Sequence, residues 1–265
     1  MASRLRLPSL VLALLGLSLG AARAETEVDL ALVLAVDVSR SMDPEEQELQ
    51  RQGFVEAFRS SVVHEAIKGG MLGRIAVTYM EWSGETEQRV VVPWTVVEDG
   101  AGAVGFADRL AEVPPGRIFQ TSISGAIDFS LKLLATSGVT PLREVIDISG
   151  DGPNSSGRLV TLARDAAVAR GVTINGLPIM LKRPTGFGDM EHLDRYYRDC
   201  VIGGVGAFTV PVRERQHFAD AIKTKIIREI AGFAPAPRII PAQAEPAIDC
   251  ATRQGGGYYW RNQGP

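Results

Sequence analysis

Clusters of positive charge are missing from this chain. Its 28 Lys and Arg stand against 31 Asp and Glu, a formal net charge of −3, and no basic block interrupts it. A nucleic-acid surface needs a concentrated cationic footprint and an anionic membrane needs a basic stretch, so neither partner is indicated. Histidine is scarce as well, with only His64, His192 and His217. After residue 24 there is no G-x-S-x-G elbow, P-loop or H-E-x-x-H. A serine nucleophile would need a base beside it, usually His. His64 and His217 fall on expected helices, as surface or packing residues. "GGVGAF" at 203–208 looks like a phosphate loop but precedes a strand rather than a helix. No internal repeat is present, and no apolar run after the first two dozen residues is long enough for a membrane span.

What is there begins with a three-part leader. Arg4 and Arg6 precede an apolar stretch from Leu7 to Leu19, and Ala22-Arg23-Ala24 supplies an A-x-A cleavage pattern. Residues 1–24 are therefore expected to be a signal peptide cut after Ala24, leaving a periplasmic or secreted chain with no stable membrane anchor. No cysteine follows the apolar run, so lipid anchoring is not indicated. Export permits disulfides, and the two cysteines, Cys200 and Cys250, invite pairing. Spacing alone leaves the bridge and two free thiols both open. From 233 to 265, Pro, Gln and Gly dominate and periodicity fails, which reads as a flexible tail.

Between them, residues 25–232 alternate strand-like and helix-like patterns. Val28 to Val36 is apolar apart from Asp29, as in a strand buried on both faces. Asp43 and Pro44 open an expected helix over 44–63, with Glu45 and Glu46 complementing its dipole and Phe54, Phe58 and Val62 as its core stripe. Two strands follow, 74–82 and 88–96, around a turn at "SGET", with Pro93 suited to an edge. Trp82 and Trp94 read as strand packing. Helices are expected over 99–111, 122–135, 157–170, 189–198 and 213–231, and strands at "REVIDISGDG", "VTINGLPIM" and "GAFTVPV". This is an α/β pattern: a doubly wound, mostly parallel sheet with helices on both faces and one antiparallel edge strand.

In such sheets ligands bind outside the carboxyl ends of the strands. Three loops there carry oxygen-bearing side chains: Asp37, Ser39 and Ser41 in "DVSRS", Thr121 in "GRIFQTSISGAI", and Asp151 in "SGDGPN". "DVSRS" alone is compatible with a turn, a nucleophile or a ligand set. Thr121 alone could be a helix cap. Together, two carboxylates and three hydroxyls form an all-oxygen set suited to a small hard cation, Mg²⁺ or Mn²⁺. Two carboxylates balance a divalent ion, which stays electrophilic toward a further carboxylate.

The order D-x-S-x-S, then Thr, then Asp resembles the metal-ion-dependent adhesion site of von Willebrand factor type A (VWA) domains, over roughly residues 27–232. The wording of "VIDISGDGPNSSG" and "YYRDCVIGGVGAF" resembles an uncharacterised bacterial family of exported proteins within that superfamily. The resemblance implies a metal at Asp37, Ser39, Ser41, Thr121 and Asp151. It also implies a binding module for an unidentified protein partner that offers an exposed Asp or Glu. Met42, Arg117, Phe119 and the "GPNSS" stretch are candidates for the rim. The rival is a metal-dependent hydrolase at the same oxygens. Asp147 departs from the family pattern. It is ~13 Å along the strand from Asp151 at ~3.3 Å per residue, too far to share a coordination shell. Either it pairs with a cation inside the sheet or its strand is less buried than it looks.

Overall fold

The computed structural model describes residues 25–116, 120–182, 190–232 and 248–251. The expected signal peptide, Arg117, Phe119 and most of the expected tail lie outside them. Five strands form the main sheet in the order β4-β3-β2-β6-β7, where β2 is Leu30–Asp37, β3 Ile75–Trp82, β4 Gln88–Val97, β6 Glu144–Gly150 and β7 Thr173–Pro178. All neighbours are parallel except β3 and β4. A two-stranded parallel pair, β1 (Thr26–Val28) with β5 (Val139–Pro141), was not foreseen because each strand has three residues.

β2 is central and buried throughout, so both of its faces need apolar side chains. Alternation divides them. Leu30, Leu32, Leu34 and Val36 join one core with Phe54, Phe58, Phe106 and Ile226. Ala31, Val33 and Ala35 join the other with Ile123, Ile127, Ile148 and Tyr196. Helices α1 (Pro44–Arg59), α2 (Ser61–Lys68), α3 (Gly100–Glu112) and α7 (Phe218–Ala231) supply the first layer; α4 (Ile123–Ala135), α5 (Val160–Val168) and α6 (Leu193–Tyr196) supply the second. The chain runs from β2 to β3 and β4 on one side, then returns to β6 and β7 on the other. The carboxyl ends of β2 and β6 therefore flank the switch point.

Several expectations change. The helix over 44–63 breaks at Ser60, which is extended (φ −77°, ψ 129°), and α2 restarts beyond it. Val62 is consequently 57% exposed, and Val63 takes the buried place. The "GAFTVPV" strand does not form. Residues 206–212 make only isolated bridges to the β7 side, Gly176 with Thr209 and Ile179 with Val212. Gly204 and Gly206 have positive φ, and Pro211 has no N–H to donate, so a ladder cannot be sustained. Pro93 lies on edge strand β4 beside a register shift, where its missing donor costs nothing. Trp82 is fully buried and Trp94 Nε1 donates to Leu133 O at 3.1 Å, so both are packing residues.

Asp147 is buried and pairs with a cation in the core: Lys225 Nζ of α7 lies 2.5 Å from its Oδ1 and also engages Glu229. Cys200 and Cys250 form a disulfide bond, tying residues 248–251 to the domain.

Candidate metal centre

The site begins where β2 runs out of partners. Val38 N still donates to Trp82 O at 2.9 Å, and Met42 N then closes a turn onto Ser39 O at 3.1 Å. Asp37, the last residue of β2, turns its carboxylate back so that Oδ1 accepts from Ser39 N at 2.7 Å, an Asx-type turn. From there a chain of hydroxyls runs outward. Ser39 Oγ and Ser41 Oγ are 2.9 Å apart, and Ser41 Oγ donates to Asp151 Oδ1 at 2.5 Å. Asp151 arrives because β6 pairs with β2 and ends at Gly150. α1 is fixed by a capping box, in which Glu46 N donates to Asp43 Oδ1 and Asp43 N to Glu46 Oε2. From that helix Gln50 Nε2 donates to Ser149 Oγ at 2.8 Å, holding the end of β6.

Thr121 comes in on a third segment. Ser122, not Thr121, is the N-cap of α4, its Oγ accepting from Gly125 N at 3.1 Å. The Thr121 carbonyl accepts from Ser155 N at 2.9 Å and Ser156 N at 3.1 Å. Gln120 before it has a φ of 75°, a left-handed backbone held by these loop contacts. The Thr121 hydroxyl makes no hydrogen bond to the other four. Asp37, Ser39, Ser41 and Asp151 thus form one connected set, and Thr121 is joined to it through the loop after Asp151. A buried cluster braces the approach to Thr121: Arg51 pairs with Glu81 and donates to Leu110 O and Val113 O, and Glu81 Oε2 accepts from Gly116 N at 3.1 Å.

Burial, and then the nearby Asp151 carboxylate, hold the Asp37 pKa well above the usual range. Burial likewise pushes Asp151 up to about 6. Asp37 Oδ2 is buried without a hydrogen-bond partner, as is Tyr197 Oη. Two carboxylates share a water-poor site in which, among the described residues, one Asp37 oxygen has no partner and no side-chain cation pairs with Asp37. A divalent ion supplies the missing charge, and every donor is a hard oxygen, so the residues fit one. Among the described residues no group of three or more His, Cys, Asp or Glu could hold a metal, so the set depends on its hydroxyls. No imidazole bonds to those hydroxyls among the described residues. His64 Nε2 lies 2.7 Å from Phe58 O instead.

Three further residues stand at the site that no sequence motif marks: Glu46, Lys182 and Tyr197. In the sequence Glu46 reads only as a partner of the helix dipole. Lys182 follows the end of β7 by four residues, on the strand-end edge that drew attention to Asp151, and that signal could have found it. With Ser41, Glu46 and Asp151 it lines a cleft walled by Ile179, Met180 and Leu193.

A family model described as "Protein of unknown function (DUF1194)" matches residues 27–234. No curated protein sequence matches the chain. Among solved structures, the pilus adhesin SpaC from Lactobacillus rhamnosus GG is similar with a TM-score of 0.56 at 12% identity, over 78% of this chain and 31% of that one. Proximal thread matrix protein 1 from the mussel byssus gives 0.52 at 14% identity, over 78% and 48%. A von Willebrand factor type A protein from Catenulispora acidiphila gives 0.51 at 14% identity, over 77% and 43%. The chain spans less than half the length of each of these structures. At such identities the likeness is one of fold, and the fold is that of a VWA domain.

Proposed function

The chain belongs to the DUF1194 family and carries a VWA-type fold, and from that premise we propose that it is an exported binding module with a metal-dependent grip on a protein partner. Asp37, Ser39, Ser41, Thr121 and Asp151 hold a divalent cation, Mg²⁺ or Mn²⁺. The cation, when bound, supplies an electrophilic centre that accepts a carboxylate oxygen from the partner's Asp or Glu. The chain's own part is to fix the ligands. β2 and β6 hold the two carboxylates at adjacent strand ends, and the Asx-type turn orients Ser39. Residues 1–24 act as a cleaved leader, 25–232 as the binding domain, and 233–265 as a tail held at Cys250.

One observation carries this reading: the hydrogen-bonded run from Ser39 through Ser41 to Asp151, set beside a buried Asp37 carboxylate with an oxygen that no described residue satisfies. A binding role fits better than turnover, because among the described residues no imidazole stands beside the hydroxyls, and the carboxylate that accepts from Ser41, Asp151, is taken up as a ligand of the cation. Calorimetric titration of Mg²⁺ and Mn²⁺ tests the metal. Wild type should bind at least one of them, and Asp151→Ala should lose at least about tenfold in affinity. Absence of heat with both ions in the wild type sinks the metal assignment. A pull-down from periplasmic extract, with and without chelator, tests the grip. Partners retained equally in chelator count against a metal-bridged contact.

A further inference from the structure

The candidate centre already has a cation at its rim. Lys182 Nζ donates to Ser41 O at 2.5 Å and lies 2.5 Å from Glu46 Oε2, 3.7 Å from Asp43 Oδ2 and 3.9 Å from Asp151 Oδ2. Those four oxygens come from the β2–α1 loop, the first turn of α1 and the loop after β6. Lys182 itself is 141 residues from Ser41, so tertiary structure, not local geometry, delivers it. The reason it stays is Glu46, whose side chain is 1% exposed and already committed to the helix cap. A buried carboxylate needs a counter-ion, and Lys182 is the ammonium that reaches it. Asp43 has Arg215 at 3.7 Å as a second cation.

Neutralising Glu46 places a positive charge within 4 Å of Asp151, one of the two carboxylates that would hold a metal. A divalent ion and an ammonium drawn to the same carboxylate repel each other, and the half-exposed position of Lys182 damps that repulsion without removing it. We propose that Lys182 is a tethered competitor for the divalent ion: it occupies the outer side of the Asp151 carboxylate, weakens metal binding there, and so sets the ion concentration at which the site fills. This rests on the metal reading above and adds a residue that works against the metal. A lysine serving only to pin the segment after β7 would affect stability and leave ion affinity alone.

The test titrates Mn²⁺ and Mg²⁺ by calorimetry into the full chain as wild type, Lys182→Gln and Lys182→Arg, with thermal melting of each protein without metal. Lys182→Gln should bind both ions at least about tenfold more tightly, while Lys182→Arg, which keeps the charge, stays within about threefold of wild type. The double variant Glu46→Gln/Lys182→Gln removes both members of the buried pair, which is better tolerated than removing one. Set against Glu46→Gln alone, so that only the ammonium differs, it should still gain about threefold or more, and it decides the matter if Lys182→Gln does not fold. Unchanged or weaker affinity in the folded charge-removing variants overturns the competitor role and leaves the metal site standing. No binding in any protein, wild type included, overturns the metal reading and the competitor with it.

Discussion

At Gly150 a methyl group would stand 2.8 Å from Asp37 Oδ2, 3.0 Å from Tyr197 Oη and 3.1 Å from Asp37 Cβ. Both neighbours are fully buried, so neither can swing aside cheaply. Glycine is therefore what lets the two carboxylate-bearing strand ends approach. Gly150→Ala is expected to cost about 1–3 kcal/mol of stability through overpacking. Because it displaces Asp37, it should also weaken Mn²⁺ binding by about tenfold or more. Gly152→Ala, whose added carbon meets nothing within 4 Å, should change neither. Calorimetry and urea denaturation on the pair decide it, and wild-type affinity in Gly150→Ala would mean that Asp37 has room to move. That Asp37, Ser39, Ser41 and Asp151 gather at one edge of the sheet was legible in the sequence, because each lies at or just past a strand end. Tyr197 was not, since it arrives through folding and no local pattern marks it, and Lys182 carried only its place just past the end of β7. Glu46 has a local meaning as a capping residue, which masked its second one.

Among the elements, α7 is bound to the sheet by charge as well as by apolar contact. Lys225 stands between Asp147 and Glu229, all three buried, and Asn175 Nδ2 donates to Glu229 Oε1 at 3.3 Å. Two carboxylates and one ammonium leave an excess negative charge if both acids ionise, so the core favours keeping a proton. Burial, and then the Asp147 charge, push Glu229 from 4.5 up to about 7. The unfolded chain releases that proton near 4.5 and the folded chain near 7. The stabilising contribution is therefore complete below 4.5 and is lost as pH rises through 7. Asp147, Asp37 and Asp151 are also raised and act in the same direction, so the comparison must be made against a variant. Between about pH 5 and 7.5, wild type should lose on the order of 2 kcal/mol more than Glu229→Gln. Urea midpoints across that range give the difference, and parallel pH profiles would show that Glu229 holds no proton. The sequence placed Asp147 on a buried-looking strand but not its cation, because Lys225 lies 78 residues away in numbering. Long apolar runs made the main strands readable. The break at Ser60 and the failed ladder at 206–212 were hidden, because single backbone angles decide them and composition does not.

For the molecule as a whole, the Cys200–Cys250 bond joins the domain to a segment that the sheet does not otherwise need. Cys200 is fully buried, its Cα is 5.5 Å from that of Cys250, and the carboxylate of Asp199 takes a backbone hydrogen bond from Ile248. Ile248 and Cys250 pack on the second core, outside every strand and helix. Closing a loop of 50 residues is worth about 4 kcal/mol in the chain-entropy picture, provided that the native state keeps the segment in place without the bond. Here residues 248–251 can leave without opening the sheet, and the reduced native state then recovers most of that entropy. Cys250→Ser should therefore lower stability by less than about 2 kcal/mol. Amide exchange should rise sharply at 248–251 and modestly around Cys200, with β2, β3 and β6 unchanged. Accelerated exchange throughout the sheet would mean that the bridge supports the core itself. The same bond links structure to compartment, since it persists only where thiols are oxidised. Labelled in denaturant, which opens the buried Cys200, protein from an oxidising compartment should show no free thiol, and protein held in a reducing cytosol should show two. Two free thiols in protein from an oxidising compartment would break the link between residues 248–251 and the domain.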